Sequence, residues 1–179
     1  MSLDRRTAAL PPGPDGGYTA AAMPQSTDAS LPSGSLDHSG LQHLLGYQLA
    51  QADIPTRTLF FKQIGDPLKL RPVEFSILML VAFNPGATPK RLSQALAVSA
   101  PNLTVLLDRM ADKGWIERRR SEADRRAQHI HLTAEGRKRA RKAHEISLTM
   151  EQELLRHLSE GERAMLRELL AKVARFRKP

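Results

Sequence analysis

Apolar side chains recur at helical spacing from Leu41 through Leu45, Gln48/Leu49, Ala52, Thr56, Leu59/Phe60 and Ile64, until Gly65-Asp66-Pro67 stops the pattern. This predicts a long first helix in which Pro55, lacking a backbone donor, produces a kink or break between Gln51 and Pro55. A second helix starts at Arg71-Pro72 and carries Phe75, Leu78, Met79 and Ala82 inward to an Asn84-Pro85-Gly86 stop. Thr88 caps a third, with Pro89 at its first position and Leu92, Ala95 and Leu96 facing inward. Ser99 caps a fourth from Ala100 to Lys113, built on a stripe of Leu103, Leu106, Leu107 and Met110 and ended by Gly114. Trp115 to Arg119 and Ala127 to Leu132 then read as two strands joined by a polar loop, Arg120 to Arg126. Thr133 caps a helix expected to reach about Leu158, and Ser159-Glu160-Gly161-Glu162 has capping-box spacing for the last one. That last helix presents Met165, Leu166, Leu169, Leu170, Val173 and Phe176 on one face.

The pattern as a whole is mainly α with a small β-hairpin wing: a winged helix-turn-helix at residues 67–133 flanked by helices at 38–66 and 134–179. Apolar faces on the terminal helices lie outside the central module, so either two chains bury them in a two-fold dimer or they complete a monomeric core. Residues 1–37 are rich in Pro, Gly, Ala and Ser, with too few large apolar side chains to offset the entropy of ordering. They are expected to form a disordered tail, dispensable or serving as a partner-binding arm.

Charge sharpens this picture. Lys and Arg outnumber Asp and Glu by 27 to 19, a formal +8, with a pI near 10.3. The tail holds two arginines against four aspartates, a charge of −2, so the remainder carries +10 and the cationic character belongs to the folded part. A polyanionic partner is implied. The absence of cysteine excludes disulfides, thiolate metal sites and thiol redox sensing. No apolar run approaches the roughly 20 residues needed to span a bilayer, and no hydrophobic segment follows a basic start, so a soluble, cytoplasmic protein without membrane contact is expected.

The helix after the turn has the width to enter a major groove of duplex DNA, and the hairpin can reach the adjacent minor groove. Asn102 can pair bidentately with adenine, while Ser99, Thr104 and the apolar edge of Ala100-Pro101 can touch base edges or a thymine methyl. Each also reads as ordinary helix surface, and it is their place after TPKRLSQALAV that favours base contact. The hairpin carries Arg118, Arg119, Arg120, Arg125 and Arg126 with Asp124 at its tip; five like charges so close repel one another unless phosphate neutralises them. Asp124 is expected to pair with and aim Arg126. Thr88, Lys90 and Arg91 are candidate phosphate contacts, and the Arg137 to Lys142 stretch adds charge spread around its helix. No phosphate loop, nucleophile elbow or spaced carboxylate pair points to catalysis. His129 and His131 share a strand face but have no third ligand, so neither a metal nor another cofactor is expected.

With these residues in place, residues 40–176 resemble the MarR (multiple antibiotic resistance regulator) family of bacterial transcription factors. The resemblance is carried by LRPVEFSILMLV, by the helix-turn-helix, by LLDRMADKGWIERRR and above all by DRRAQHIHLTAEG. It implies a homodimer, triangular in outline, whose terminal helices form the interface and whose two modules read an inverted repeat on double-stranded DNA. It also implies that Asp124 and Arg126 are the wing's acidic residue and minor-groove arginine, that Ser99 to Thr104 open the recognition helix, and that Arg109 lies near phosphate. Family members mostly repress, releasing DNA when a small aromatic or phenolic acid binds between the dimerisation helices and the winged module. The lack of cysteine departs from the peroxide-sensing branch, and the lack of a dense His/Glu/Asp cluster from the metal-sensing one. LRPVEF and SAPN are most similar to members governing aromatic-acid catabolism, including those that sense acyl-CoA thioesters.

For such an effector, Tyr47, Arg57, Phe60, Phe61, Phe75 and Met79 offer aromatic and apolar groups with one cation, although Phe and Met at helical spacing also read as core. Recognition helices about 34 Å apart would read half-sites roughly 10 bp apart. The rival readings are a nonspecific chromatin-like DNA-binding protein, a winged-helix protein-interaction module without an effector, and an unrecognised enzyme.

Overall fold

The computed structural model describes residues 36–120 and 128–176. Its elements are α1 (Leu45–Phe60), a π-helical turn (Phe61–Gly65), α2 (Asp66–Leu68), α3 (Pro72–Phe83), α4 (Pro89–Leu96), α5 (Ala100–Asp112), β1 (Ile116–Arg120), β2 (Gln128–Leu132), α6 (Ala134–Ser147) and α7 (Glu160–Ala174). The chain divides into two units at His43/Leu44. In the short described part of the first, the Ser39 backbone N–H and hydroxyl both donate to the Asp37 carboxylate at 2.9 Å, holding its pKa below the usual range.

Three expectations need correction. Helix α1 runs on through Pro55, so of the expected kink or break the break does not occur. The proline leaves the Gln51 carbonyl without its helical donor; the Thr56 hydroxyl lies 3.1 Å from both the Ala52 and Asp53 carbonyls and that of Thr58 donates to Ile54 at 2.9 Å, so these hydroxyls serve other carbonyls of the helix. Nor does Gly65-Asp66-Pro67 stop the helical course. The π turn admits an extra residue, α2 restarts with Pro67 in its first turn where no donor is needed, and Leu70 N–H closes on the Gly65 carbonyl at 2.9 Å. The third concerns α6, which ends at Ser147 rather than near Leu158. There the Ser147 hydroxyl turns back to the His144 carbonyl at 2.7 Å, and the following segment runs in turns that mix three- and four-residue hydrogen bonds.

Helix α3 is apolar on nearly every side, as a buried helix should be. It buries Ile77, Leu78 and Val81, with Phe75 and Met79 half-buried beside them and Ala82 exposed. Around it pack Leu92 of α4, Leu103, Leu107 and Met110 of α5, Ile116 and Ile130 of the hairpin, and Ala140 and Ala143 of α6, while Ala95 is exposed. The two strands pair antiparallel, Ile116 opposite Leu132 and Arg120 opposite Gln128. Helix α7 buries no residue, and it and α1 expose the apolar faces noted above, including Leu45, Leu49, Leu166 and Leu169. Its capping box is formed: the Ser159 backbone N–H (2.7 Å) and hydroxyl (2.8 Å) bond the Glu162 carboxylate and hold its pKa below the ordinary range, so the cap is intact at neutral pH and lost on protonation in acid.

The joint between wing and α6 is closest at Gly136. A Cβ built there would lie 1.8 Å from the Trp115 carbonyl oxygen, a backbone atom that cannot give way alone. Gly136→Ala is therefore expected to destabilise the fold by about 3 kcal/mol or more, the upper end of over-packing costs. Chemical denaturation checks this; a change under about 0.5 kcal/mol, the range of an inert surface substitution, would refute it.

Candidate nucleic-acid interface

The helix-turn-helix is set by its two caps and one unusual backbone residue. Thr88 Oγ1 accepts from Arg91 N–H at 3.3 Å and opens α4. At the other end Ala97 takes the left-handed conformation (φ 51°), Val98 N–H reaches the Ser93 carbonyl at 3.1 Å, and the Ser93 hydroxyl donates to the Val98 carbonyl at 2.6 Å. This is a Schellman-type end with alanine in place of the usual glycine. Ser99 then occupies the N-cap of α5 by its backbone, but its side chain makes no capping bond; Pro101 in the first turn has no N–H to offer.

Leu103, Leu107 and Met110 anchor α5, so its opposite side faces outward: Ser99, Ala100, Pro101, Asn102, Thr104 and Arg109 are all exposed. The Thr104 hydroxyl donates to the Ala100 carbonyl at 2.9 Å and keeps its lone pairs for an outside donor. One residue escaped the sequence reading. Val105, 49% exposed, sits one turn after Pro101 on this face, an apolar side chain of the kind that meets thymine methyl groups. Its absence from the buried stripe was the available signal.

The hairpin is fastened to this module by backbone and by charge. Ile130 N–H donates to the Ala87 carbonyl at 2.8 Å, and His129 Nδ1 lies 2.8 Å from the Gly86 carbonyl, so β2 is tied to the loop leading into Thr88. Arg118 bridges to Asp108 of α5 at 2.6 Å, and Arg119 to Glu117 on its own strand at 2.6 Å. Arg118, Arg119 and Arg120 are exposed, as are Lys90 and Arg91 at the start of α4. Asp124, Arg125 and Arg126, with the proposed aiming of one by another, lie outside the described residues, as does Ala127. His129 and His131 stack edge-on, centroids 6.5 Å apart, and no trio of His, Cys, Asp or Glu clusters among the described residues.

The six residues named for a ligand do not converge on one space. Arg57, Phe60 and Phe61 line a cavity of about 400 Å³ together with Asp53, Pro72 and Glu151. Arg57 is ion-paired with Asp53, Phe60 is buried in the core, and Phe75 meets the Phe60 ring edge-on at 5.6 Å. Met79 instead lines a second cavity, of about 450 Å³, between α3, the hairpin and α6; Tyr47 lines neither.

Residues 68–127 match the family model described as MarR family. The multiple antibiotic resistance protein MarR of Escherichia coli (strain K12) is 33% identical over 108 residues, covering 60% of this chain and 75% of that protein. Among solved structures, the transcriptional repressor CouR bound to a 23-mer DNA duplex is similar with a TM-score of 0.71 and 31% identity, over 79% of this chain and 99% of that one. CouR bound to p-coumaroyl-CoA gives 0.70 and 29% over the same shares.

The Arg118–Asp108 bridge ties up one cation of the hairpin. Asp108→Asn should strengthen binding to any DNA duplex and steepen the slope of log affinity against log salt by about 0.9, one more phosphate contact. Fold stability should change by no more than about 1 kcal/mol, since the pair is partly exposed. Weaker binding with an unchanged slope would show that the bridge serves to position the wing instead.

Proposed function

This chain belongs to the MarR family, and on that premise we propose that it is a sequence-specific, dimeric transcriptional repressor, released from double-stranded DNA by a small aromatic or phenolic acid or its CoA thioester. The observation that carries this reading is the exposed face of α5, Ser99 to Val105, beside a hairpin whose first strand exposes Arg118, Arg119 and Arg120. Phosphate contacts from Thr88, Lys90, Arg91, Arg109 and the wing arginines supply affinity; Asn102, Thr104 and Val105 supply base choice. Arg126, aimed by Asp124, enters the minor groove, where a cation is favoured by the narrow groove's negative potential.

Residues 67–133 serve as the reading module, 38–66 and 134–179 as the dimerisation helices, and 1–37 as a tail. A second copy covers the apolar faces of α1 and α7, which a lone chain leaves in water. The two modules then read an inverted repeat with half-sites about 10 bp apart. A relative named as a transcriptional repressor bound to a DNA duplex supports regulation rather than catalysis. No helix among the described residues is long and apolar enough to cross a membrane, and the work of such a protein lies on the bacterial nucleoid in the cytoplasm.

Selection from a random-sequence duplex library at near-physiological salt is expected to enrich an inverted repeat; retention without enrichment would favour the nonspecific binder. On the selected site, Arg126→Ala should weaken binding to every sequence and reduce the salt slope by about 0.9. Unchanged affinity would remove the wing from the mechanism.

A further inference from the structure

The sequence places five cations near the start of α6, and the fold sorts them into two groups. Arg139 turns toward the core, its guanidinium 4.7 Å from the Trp115 ring centroid and paired with Glu135 at 3.1 Å. Arg137, Lys138, Arg141 and Lys142 are all exposed, and at 3.6 residues per turn they fall within an arc of about 140° on one side of the helix. None of the four has an ion-pair partner among the described residues, and Glu145, the next carboxylate on that side, pairs with none of them.

Local rules oppose this arrangement. Cations near a helix N-terminus meet the positive end of the macrodipole, and Arg137 with Arg141, like Lys138 with Lys142, sets like charges four residues apart. Helix α6 therefore carries an electrostatic cost that no carboxylate among the described residues relieves, which suits this side to an external polyanion. The strip is also continuous with the wing, because Arg119 of β1 lines the same cavity as Arg137 and Arg141. We propose that Arg137, Lys138, Arg141 and Lys142 form a second duplex contact, holding phosphates of the DNA that flanks the repeat read by α5 and the wing. The assignment rests on the reading of the chain as a dimeric DNA-binding regulator.

Charge density matches. From Arg137 to Lys142 the helix rises about 7.5 Å, and a duplex presents about four negative charges over that length. Arg137 donates to the Leu132 carbonyl at 2.7 Å, which fixes its side chain and leaves donors on the guanidinium. An acidic protein surface would satisfy the same charges, but continuity with a wing that faces DNA selects the duplex. Contacts to phosphate carry no base preference, so the strip adds affinity to the operator without changing the sequence it favours.

The test compares the full chain on two duplexes, the selected repeat alone and the same repeat with about 10 bp, one helical turn, added at each end. The longer duplex should bind more tightly, with a slope of log affinity against log salt steeper by about 1.8 or more, one added phosphate contact from each chain of the dimer. The triple variant Lys138→Gln, Arg141→Gln, Lys142→Gln should lose that increment while binding the short duplex as before. Glutamine keeps helix propensity close to that of lysine and arginine, and thermal stability should be unchanged or raised as like charges are removed. Arg126→Ala, by contrast, should lower the slope on both duplexes alike. Equal slopes for the two duplexes overturn the proposal. So does a triple variant that loses affinity equally on both, or one that melts lower and binds neither, since the cations would then serve the repeat or the fold. A selection that enriches no operator refutes the regulator reading itself, and the flanking contact with it.

Discussion

The contact on which the arrangement depends is the approach of α6 to the backbone at Trp115. Thr133 N–H donates to the Trp115 carbonyl at 3.1 Å, and the Thr133 hydroxyl reaches the Gly114 carbonyl at 2.6 Å while accepting from Gly136 N–H at 3.0 Å. One threonine thus caps α6 and pins its first turn to the end of α5. Only glycine at 136 lets the helix come that near. The Trp115 ring below is buried, with Lys113 Nζ at 4.3 Å and the Arg139 guanidinium at 4.7 Å from its centroid.

Those two cations extend the joint to the other helices. Lys113 bridges at 2.7 Å to Glu74, which is almost wholly buried and also accepts from Arg71 N–H at 2.8 Å, closing the first turn of α3. Arg139 reaches the Leu68 carbonyl and, at 3.1 Å, Glu135. A buried carboxylate stripped of its partner is strongly unfavourable, so the pair fixes where α3 and α5 meet rather than adding much stability of its own. Wing, recognition helix and α6 are in this way held to a single frame.

Charge is divided along the same frame. The arginines of β1 divide between two sides: Arg118 is paired with Asp108 of α5, while Arg119, paired with Glu117, lines the cavity against α3 and α6. Exposed pairs of this kind are weak enough for phosphate to displace. Arg137 and Arg141 of α6 line the same cavity as Arg119.

Much of this was legible in the chain. Helical and strand periods placed α3, α4, α5, the hairpin and α7, because a buried stripe must repeat with the backbone that carries it, and proline, threonine and glycine at the ends obey local rules. The outward face of α5 followed from the same stripe, and Val105 was missed although that stripe leaves it out. The pattern misplaced element ends: α1 ran on past Pro55, the π turn absorbed Gly65-Asp66-Pro67, and α6 stopped at Ser147 although its sequence reads on. What it could not supply was anything set by neighbours distant in sequence. The six side chains grouped for a ligand fell on different surfaces, since aromatic content says nothing of which faces meet. Sequence alone determined the elements, the basic surplus and the reading helix, because those depend on local period and composition. Tertiary structure alone decided which cations share a cavity, because charge acts through space and only packing sets the distances.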